Sequence, residues 1–223
     1  VSSRVNFADV VAGDILINGQ ALGAISSTDH MEDVVKNIND NVDNVTASAF
    51  NVVVAEKVGN GVTGGDGADD QTGAVETGMV IKVREQGVTA DTTFTISASS
   101  NMDELVANIN NETGGVVLAA VNEDGKLVLS NTTGATISVE DDSTSGSGFS
   151  NANTEFRGFL KLDALDDEPI RITKGNKGLA SPGTDADLVA IGFRETKAST
   201  LEDGYTIMSA VLDNPEEAFA QGD

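Results

Sequence analysis

Residues Ser100–Asn110, SNMDELVANIN, repeat residues Asp29–Asn39, DHMEDVVKNIN, and the pair decides how the rest of the chain reads. Met31, Val34, Val35 and Ile38 match Met102, Leu105, Val106 and Ile109 position for position. This is the i, i+3, i+4, i+7 set that lines one face of an amphipathic helix. Each copy opens on a residue able to cap the helix, with an acid one turn later: Asp29 with Glu32, and Ser100 with Asp103. Each closes in Ile-Asn and a turn. The message of the repeat is architectural, not catalytic.

Working outward, DILI (14–17) ends in an Asn18-Gly19 turn ahead of the first helix. NVTASAFNVVV (44–54) follows that helix with the period-two alternation of a half-buried strand at Val45, Ala47 and Ala49. Around the second helix stand the strands MVIKV (79–83), TTFTIS (92–97), GVVLAAV (115–121), KLVLS (126–130) and ATISV (135–139), with a hairpin turn at Glu123-Asp124-Gly125. GVVLAAV matches 43–49, and FLKLDALDDEPIRI (159–172) aligns without gaps on KLVLSNTTGATISV (126–139). Leu160 falls on Leu127, Leu162 on Leu129, Ile170 on Ile137 and Ile172 on Val139.

The first module therefore finds its closing hairpin only after the second module has passed. The expected fold class is α+β: two nested small modules, each a mostly antiparallel β-sheet packed by one short amphipathic helix. The second module is inserted into a hairpin of the first, where no buried pairing is lost. The expected domains are an outer one from 1–57 plus 153–223 and an inserted one from 76–142, with 58–75 and 143–152 as linkers. Both linkers are rich in Gly or Ser and acids. In the tail, DLVAIGF (187–193) and YTIM (205–208) read as strands, and Ala220–Asp223 echoes Val11–Asp14, as the start of a further copy would.

Composition excludes several functions. Thirteen Lys and Arg against 36 Asp and Glu give a net charge of −23, with no basic stripe to meet phosphates, so neither nucleic acid nor an anionic membrane surface is an expected partner. No run of about twenty apolar residues is present to cross a bilayer, and the first residues lack the layout of a signal peptide. Zero cysteines exclude disulfides and thiolate metal sites. With 39% hydrophobic but only 4% aromatic residues, the core must be built from Val, Ile, Leu and Ala.

A strand ending in Asn-Gly, a short helix ending in Ile-Asn, then Val-x-Ala and a Gly-Lys-Leu-x-Leu hairpin resembles the repeat of bacterial flagellins. The residues that carry it are Asp14–Gly19, Met31–Asn39, Val45–Ala47, Met102–Asn110, Gly125–Leu129 and Ile137. The resemblance implies the central variable region of a flagellin, a structural and non-enzymatic protein of the extracellular flagellar filament that serves motility. Its implied partners are other flagellin subunits, mainly through heptad-rich terminal regions that have no counterpart in these residues, and neighbouring outer domains. Filament cap and hook-associated proteins carry similar repeats and are the alternative. A glycan- or surface-binding adhesin module is the alternative of another class, and a carboxylate-based glycosidase the enzymatic one.

No catalytic, cofactor-binding or metal-binding residue is assigned, and no cofactor is expected. His30 is the only histidine, which removes any two-histidine metal site, and neither H-E-x-x-H nor G-x-S-x-G occurs. It reads as a surface residue near the helix start. Gly64–Asp69, GGDGAD, fits a calcium-binding β-helix turn. That turn works in successive copies, however, and a single copy reads better as an acidic linker. Glu140-Asp141-Asp142 and Asp163, Asp166, Asp167 and Glu168 read as solvated faces rather than paired catalytic carboxylates. Asn44, Asn111 and Asn131 head N-x-[ST] sequons, and Ser143–Ser150 is a candidate O-glycan acceptor stretch by the resemblance.

Overall fold

The computed structural model describes residues 1–64, 79–85, 90–141, 146–149, 154–166, 168–176, 178–196, 199–200 and 206–207. In chain order the elements are β1 (Ile15–Ile17), β2 (Gln20–Ala21), α1 (Met31–Asn41), β3 (Val45–Val54), β4 (Val62–Thr63), β5 (Val80–Arg84), β6 (Thr92–Thr95) and β7 (Ser99–Ser100). There follow α2 (Met102–Glu112), β8 (Leu118–Val121), β9 (Leu127–Asn131), β10 (Thr136–Glu140), β11 (Thr154–Phe156), β12 (Phe159–Ala164), β13 (Ile172–Lys174), α3 (Asp185–Ala190), β14 (Ser199–Thr200) and β15 (Thr206–Ile207). The fold is α+β, and every strand pair with a defined register is antiparallel.

The chain divides into two compact units. Unit 1 comprises Val1–Ala49 and Gly158–Asp223, and unit 2 comprises Phe50–Arg157. The division falls within β3 and just before β12, so residues 50–57 and 153–157, expected in the outer domain, count with unit 2.

Unit 1 sets β1 between β13 and β2, with Ile17 opposite Ile172. β12 runs beside β3, where the Leu165 N–H donates to Asn44 O at 2.9 Å. The α1 stripe closes this core: Met31, Val34 and Ile38 are buried, and Val35 packs at its margin among Ile15, Ile17, Leu22, Leu160 and Leu188.

Unit 2 repeats the arrangement. β5 lies between β10 and β6, with Ile81 opposite Val139, and β8 pairs with β9. From α2, Leu105 and Ile109 are fully buried, while Met102 and Val106 are half-buried against Ile81, Ile96, Leu127, Leu129 and Ile137. β5, α2, β8, β9 and β10 therefore stand in the pairing roles that β1, α1, β3, β12 and β13 hold in unit 1. Each fully buried Ile or Leu contributes roughly 1.5–3 kcal/mol before entropy is counted.

Three local readings change. The helix caps sit one residue later than expected, at His30 and Asn101, and Asp33 and Glu104 join the expected Glu32 and Asp103 as acids in the first turns. Asp29 instead accepts from the Ser26 N–H at 2.9 Å and shapes the preceding turn. Ser100 donates from both N–H (2.8 Å) and Oγ (2.6 Å) to Glu104 Oε2, while Asn101 Oδ1 caps the Glu104 N–H at 3.0 Å.

The stretch 187–193, expected as a strand, is the last part of α3 and the turn after it. Its apolar run hid a helix start. Asp187 accepts from the N–H and Oγ of Thr184 at 2.6 and 2.7 Å, fixing the first turn. Gly192 then ends it at φ +76°, where a Cβ would sit 2.4 Å from Ser3 O. Residues 206–207 of YTIM are strand, while 205, 208 and Ala220–Asp223 lie outside the described residues.

The described parts of the two expected linkers are packed, not slack. β4 pairs with β7, and Thr63 is fully buried with its Oγ1 2.9 Å from Ser99 Oγ. Gly146, Ser147, Gly148 and Phe149 are all buried, and the carbonyls of Gly146 and Gly148 accept from the Gly61 and Lys57 N–H groups at 2.9 and 3.1 Å. The glycines here permit close approach of backbone, not looseness. A Cβ on Gly61 would stand 2.0 Å from the Met102 amide nitrogen.

Candidate functional site

The repeated helices carry more than an apolar stripe. In the Asn108-Ile109-Asn110 triplet, Ile109 enters the core while the two asparagines reach to opposite sides. Asn110 Oδ1 accepts from the Ala119 N–H at 2.8 Å, and its Nδ2 donates to Ala119 O at 3.1 Å. The side-chain amide thus pairs with β8 as another strand would. Asn108 Nδ2 donates to Ser97 O and Ala98 O, both at 3.3 Å, holding the segment that precedes the helix.

Asn37-Ile38-Asn39 does the same in unit 1. Asn39 exchanges both bonds with Ala47 at 2.7 and 3.1 Å, while Asn37 accepts from Gly23 N–H at 2.9 Å and donates to Ala24 O at 3.0 Å. The sequence displayed the triplet twice, but its role depends on the segments before and after the helix, Gly23-Ala24 and Ala47 in unit 1 and Ser97-Ala98 and Ala119 in unit 2.

The remaining candidates are dispersed. His30 is the N-cap residue of α1, with Nδ1 3.4 Å from Asp33 Oδ2 and its backbone N–H on the same oxygen at 3.0 Å. Of the expected solvated face, Asp141 is buried instead, while the Glu140 side chain stays 38% exposed. Glu140 pairs with Lys82 at 2.6 Å, and Asp141, 2% exposed, accepts from the Ser147 N–H at 2.9 Å and from its hydroxyl. Those bonds offset the desolvation of its charge.

Asp163 pairs with exposed Lys161, and Asp166 accepts from the Glu168 N–H at 3.1 Å. Asp142 and Asp167 lie outside the described residues, as do Gly65–Asp69 of the calcium-type turn. Among the described residues, no three His or carboxylate side chains gather as a metal ion would require, and no helix is long and apolar enough to cross a membrane.

The modification candidates divide by exposure. Asn44, at φ +62°, and Asn111 are exposed, whereas Asn131 is buried, donating to Ala135 O at 2.9 Å and accepting from Gly134 N–H at 2.9 Å. Within Ser143–Ser150, Ser147 is fully buried. In the folded chain, only Asn44 and Asn111 of the three sequons present their side chains to a transferase.

No curated protein matches this chain. The family model described as the flagellin hook IN motif matches residues 81–133, from β5 to the turn after β9, and so takes in α2 with both of its asparagine tethers. That family is structural. Residues 81–133 are thus similar to the flagellin hook IN motif, and this matched segment is what links the chain to flagellins.

Proposed function

We propose that this chain is a solvent-exposed part of a flagellin central region, forming outer surface of the bacterial flagellar filament in motility. On this reading it is extracellular, and its partners are other flagellin subunits, engaged mainly through terminal regions outside the chain. Unit 1 is then a second copy of the repeat, interrupted by unit 2. The observation that carries the reading is the shared triplet. Unit 2 holds the matched motif, and unit 1 reproduces both its strand roles and the two-way amide bond, at Asn39–Ala47 as at Asn110–Ala119. A surface bearing −23 suits a module that must stay soluble while it surrounds a polymer.

Antibodies raised against the 223-residue chain test this on flagellated cells that produce it. Gold labelling along the whole filament is the expected result. Label confined to the distal tip or the hook junction would assign the chain to a cap or hook-associated protein. Label absent from the flagellum would remove the reading.

A further inference from the structure

The two units present the same sheet position with different chemistry. In unit 2 the register places Val52, Ser130 and Leu118 in one row across β3, β9 and β8, and Val54, Val128 and Ala120 in the next. Val52, Val54 and Leu118 are 37%, 45% and 51% exposed, Ala120 is exposed and Val128 half-buried. The amide bonds that tie Ala119 and Ala47 to their helices make Leu118 and Ala120 the counterparts of Thr46 and Ser48. The alignment of Leu127 on Leu160 makes Val128 and Ser130 the counterparts of Lys161 and Asp163. All four unit 1 residues are exposed and polar. An antiparallel sheet with one wet face ordinarily alternates as unit 1 does. Unit 2 instead turns five apolar side chains to water around Ser130, the mark of a surface that is covered in use.

Charge argues for the occupant. The six side chains of this face, Val52, Val54, Leu118, Ala120, Val128 and Ser130, carry no charge in a chain of −23. A basic partner would find its complement on the rest of the surface. A second, equally acidic copy meets least repulsion here. Five apolar side chains also fall short of the roughly 800 Å² per partner of a stable interface. Such a contact acts only where copies are held together at effective concentrations of about a millimolar. We propose that the outward face of β3, β9 and β8 is a contact between copies of this chain, two such faces packing against each other. The proposal rests on the filament reading for that local concentration.

Sedimentation equilibrium of the 223-residue chain at about 1 mM, in roughly 1 M salt where the Debye length is about 3 Å, tests it. The expected average mass lies above the monomer's 22.9 kDa. The variant Leu118→Thr/Ala120→Ser/Val128→Lys, which carries unit 1's residues, should return it to the monomer with an unchanged circular dichroism spectrum. Val54→Thr alone should weaken association, and supplies the test should the triple change disturb folding. A wild-type chain that stays monomeric throughout would overturn the proposal, as would association undiminished in the variants. Binding of the monomeric chain to uncharged phosphatidylcholine vesicles, lost in the same variants, would overturn it in favour of a lipid surface. The measurement needs no filament. Self-association without filament labelling would refute the filament reading alone, and filament labelling with a monomeric chain would refute this contact alone.

Discussion

Asn110 and Ala119 exchange two hydrogen bonds, 2.8 Å from the alanine N–H to Oδ1 and 3.1 Å from Nδ2 to the alanine carbonyl. β8 is the last strand of its sheet, and at Ala119 the edge that would otherwise offer free backbone groups is closed by the amide. Thr113 extends the cover, its hydroxyl donating to Val117 O at 2.8 Å. Asn110→Ala should leave both Ala119 groups unpaired and destabilise unit 2 by about 1–3 kcal/mol. Asn110→Asp should still accept from the N–H but can no longer donate to the carbonyl. Urea melts, together with faster hydrogen exchange at the Ala119 amide, measure the effect. Asn39→Ala should act in the same way on unit 1 at Ala47. If exchange at Ala119 is unchanged in Asn110→Ala, the amide is not what closes the edge.

Ile109 and Ile38 are each fully buried at the centre of a different core. Truncation to Ala should cost about 2–5 kcal/mol, and substitution by Asp, which buries an unpaired charge, should cost more. Ile109→Asp is expected to collapse the amide spectrum of unit 2 while leaving that of unit 1, and Ile38→Asp the converse. Loss of both sets of resonances from either change would show that the units do not fold separately.

Gly61 holds φ +75° and lies against the first amide of α2. Gly61→Ala must both strain that dihedral and displace Met102, so a loss of more than about 1 kcal/mol is expected. Gly19, at φ +77° but with open space around its Cα, is the control. Gly19→Ala pays only the dihedral, and should be the milder change in thermal melts.

Glu104 makes part of the stability pH-dependent. The Ser100 hydroxyl and then the Ser100 N–H hold its carboxyl below the ordinary 4.5. The folded chain therefore binds this proton less readily than the unfolded chain. The contribution is complete above about pH 4.5 and is lost as the pH falls through the lower, folded-state value. Melts of wild type and Glu104→Gln should differ at pH 7, and the gap should narrow as the pH falls below 4.5. A constant gap down to pH 3 would show that the carboxylate charge at the N-cap of α2 is not involved.

Local periodicity made much of this fold legible. The stripes Met31–Ile38 and Met102–Ile109 and the alternation of β3 are patterns within one element, and they survive intact because burial of one face is what selects the element. At residues 187–193 the same reasoning failed. A short apolar run does not distinguish strand from helix, and the cap that decides it reaches from Asp187 back to Thr184, ahead of the stretch. Gly59 and Gly61 invited the reading of a slack linker, because a glycine that lets two backbones touch looks in sequence like one that lets a chain wander.

The sequence by itself determined the class of the fold, the duplicated helix and the hydrophobic faces, since each follows from the spacing of neighbours along the chain. Tertiary structure alone decided that Asn39 and Asn110 act as strand partners, that Asp141 and Ser147 are buried together, and that Leu118 stands exposed where Thr46 stands in the sister unit. Those are relations between different elements: the bonded partners stand only six to nine residues apart along the chain, but no single element's periodicity links them. Their energy comes from hydrogen bonds and burial that exist only once the segments have met.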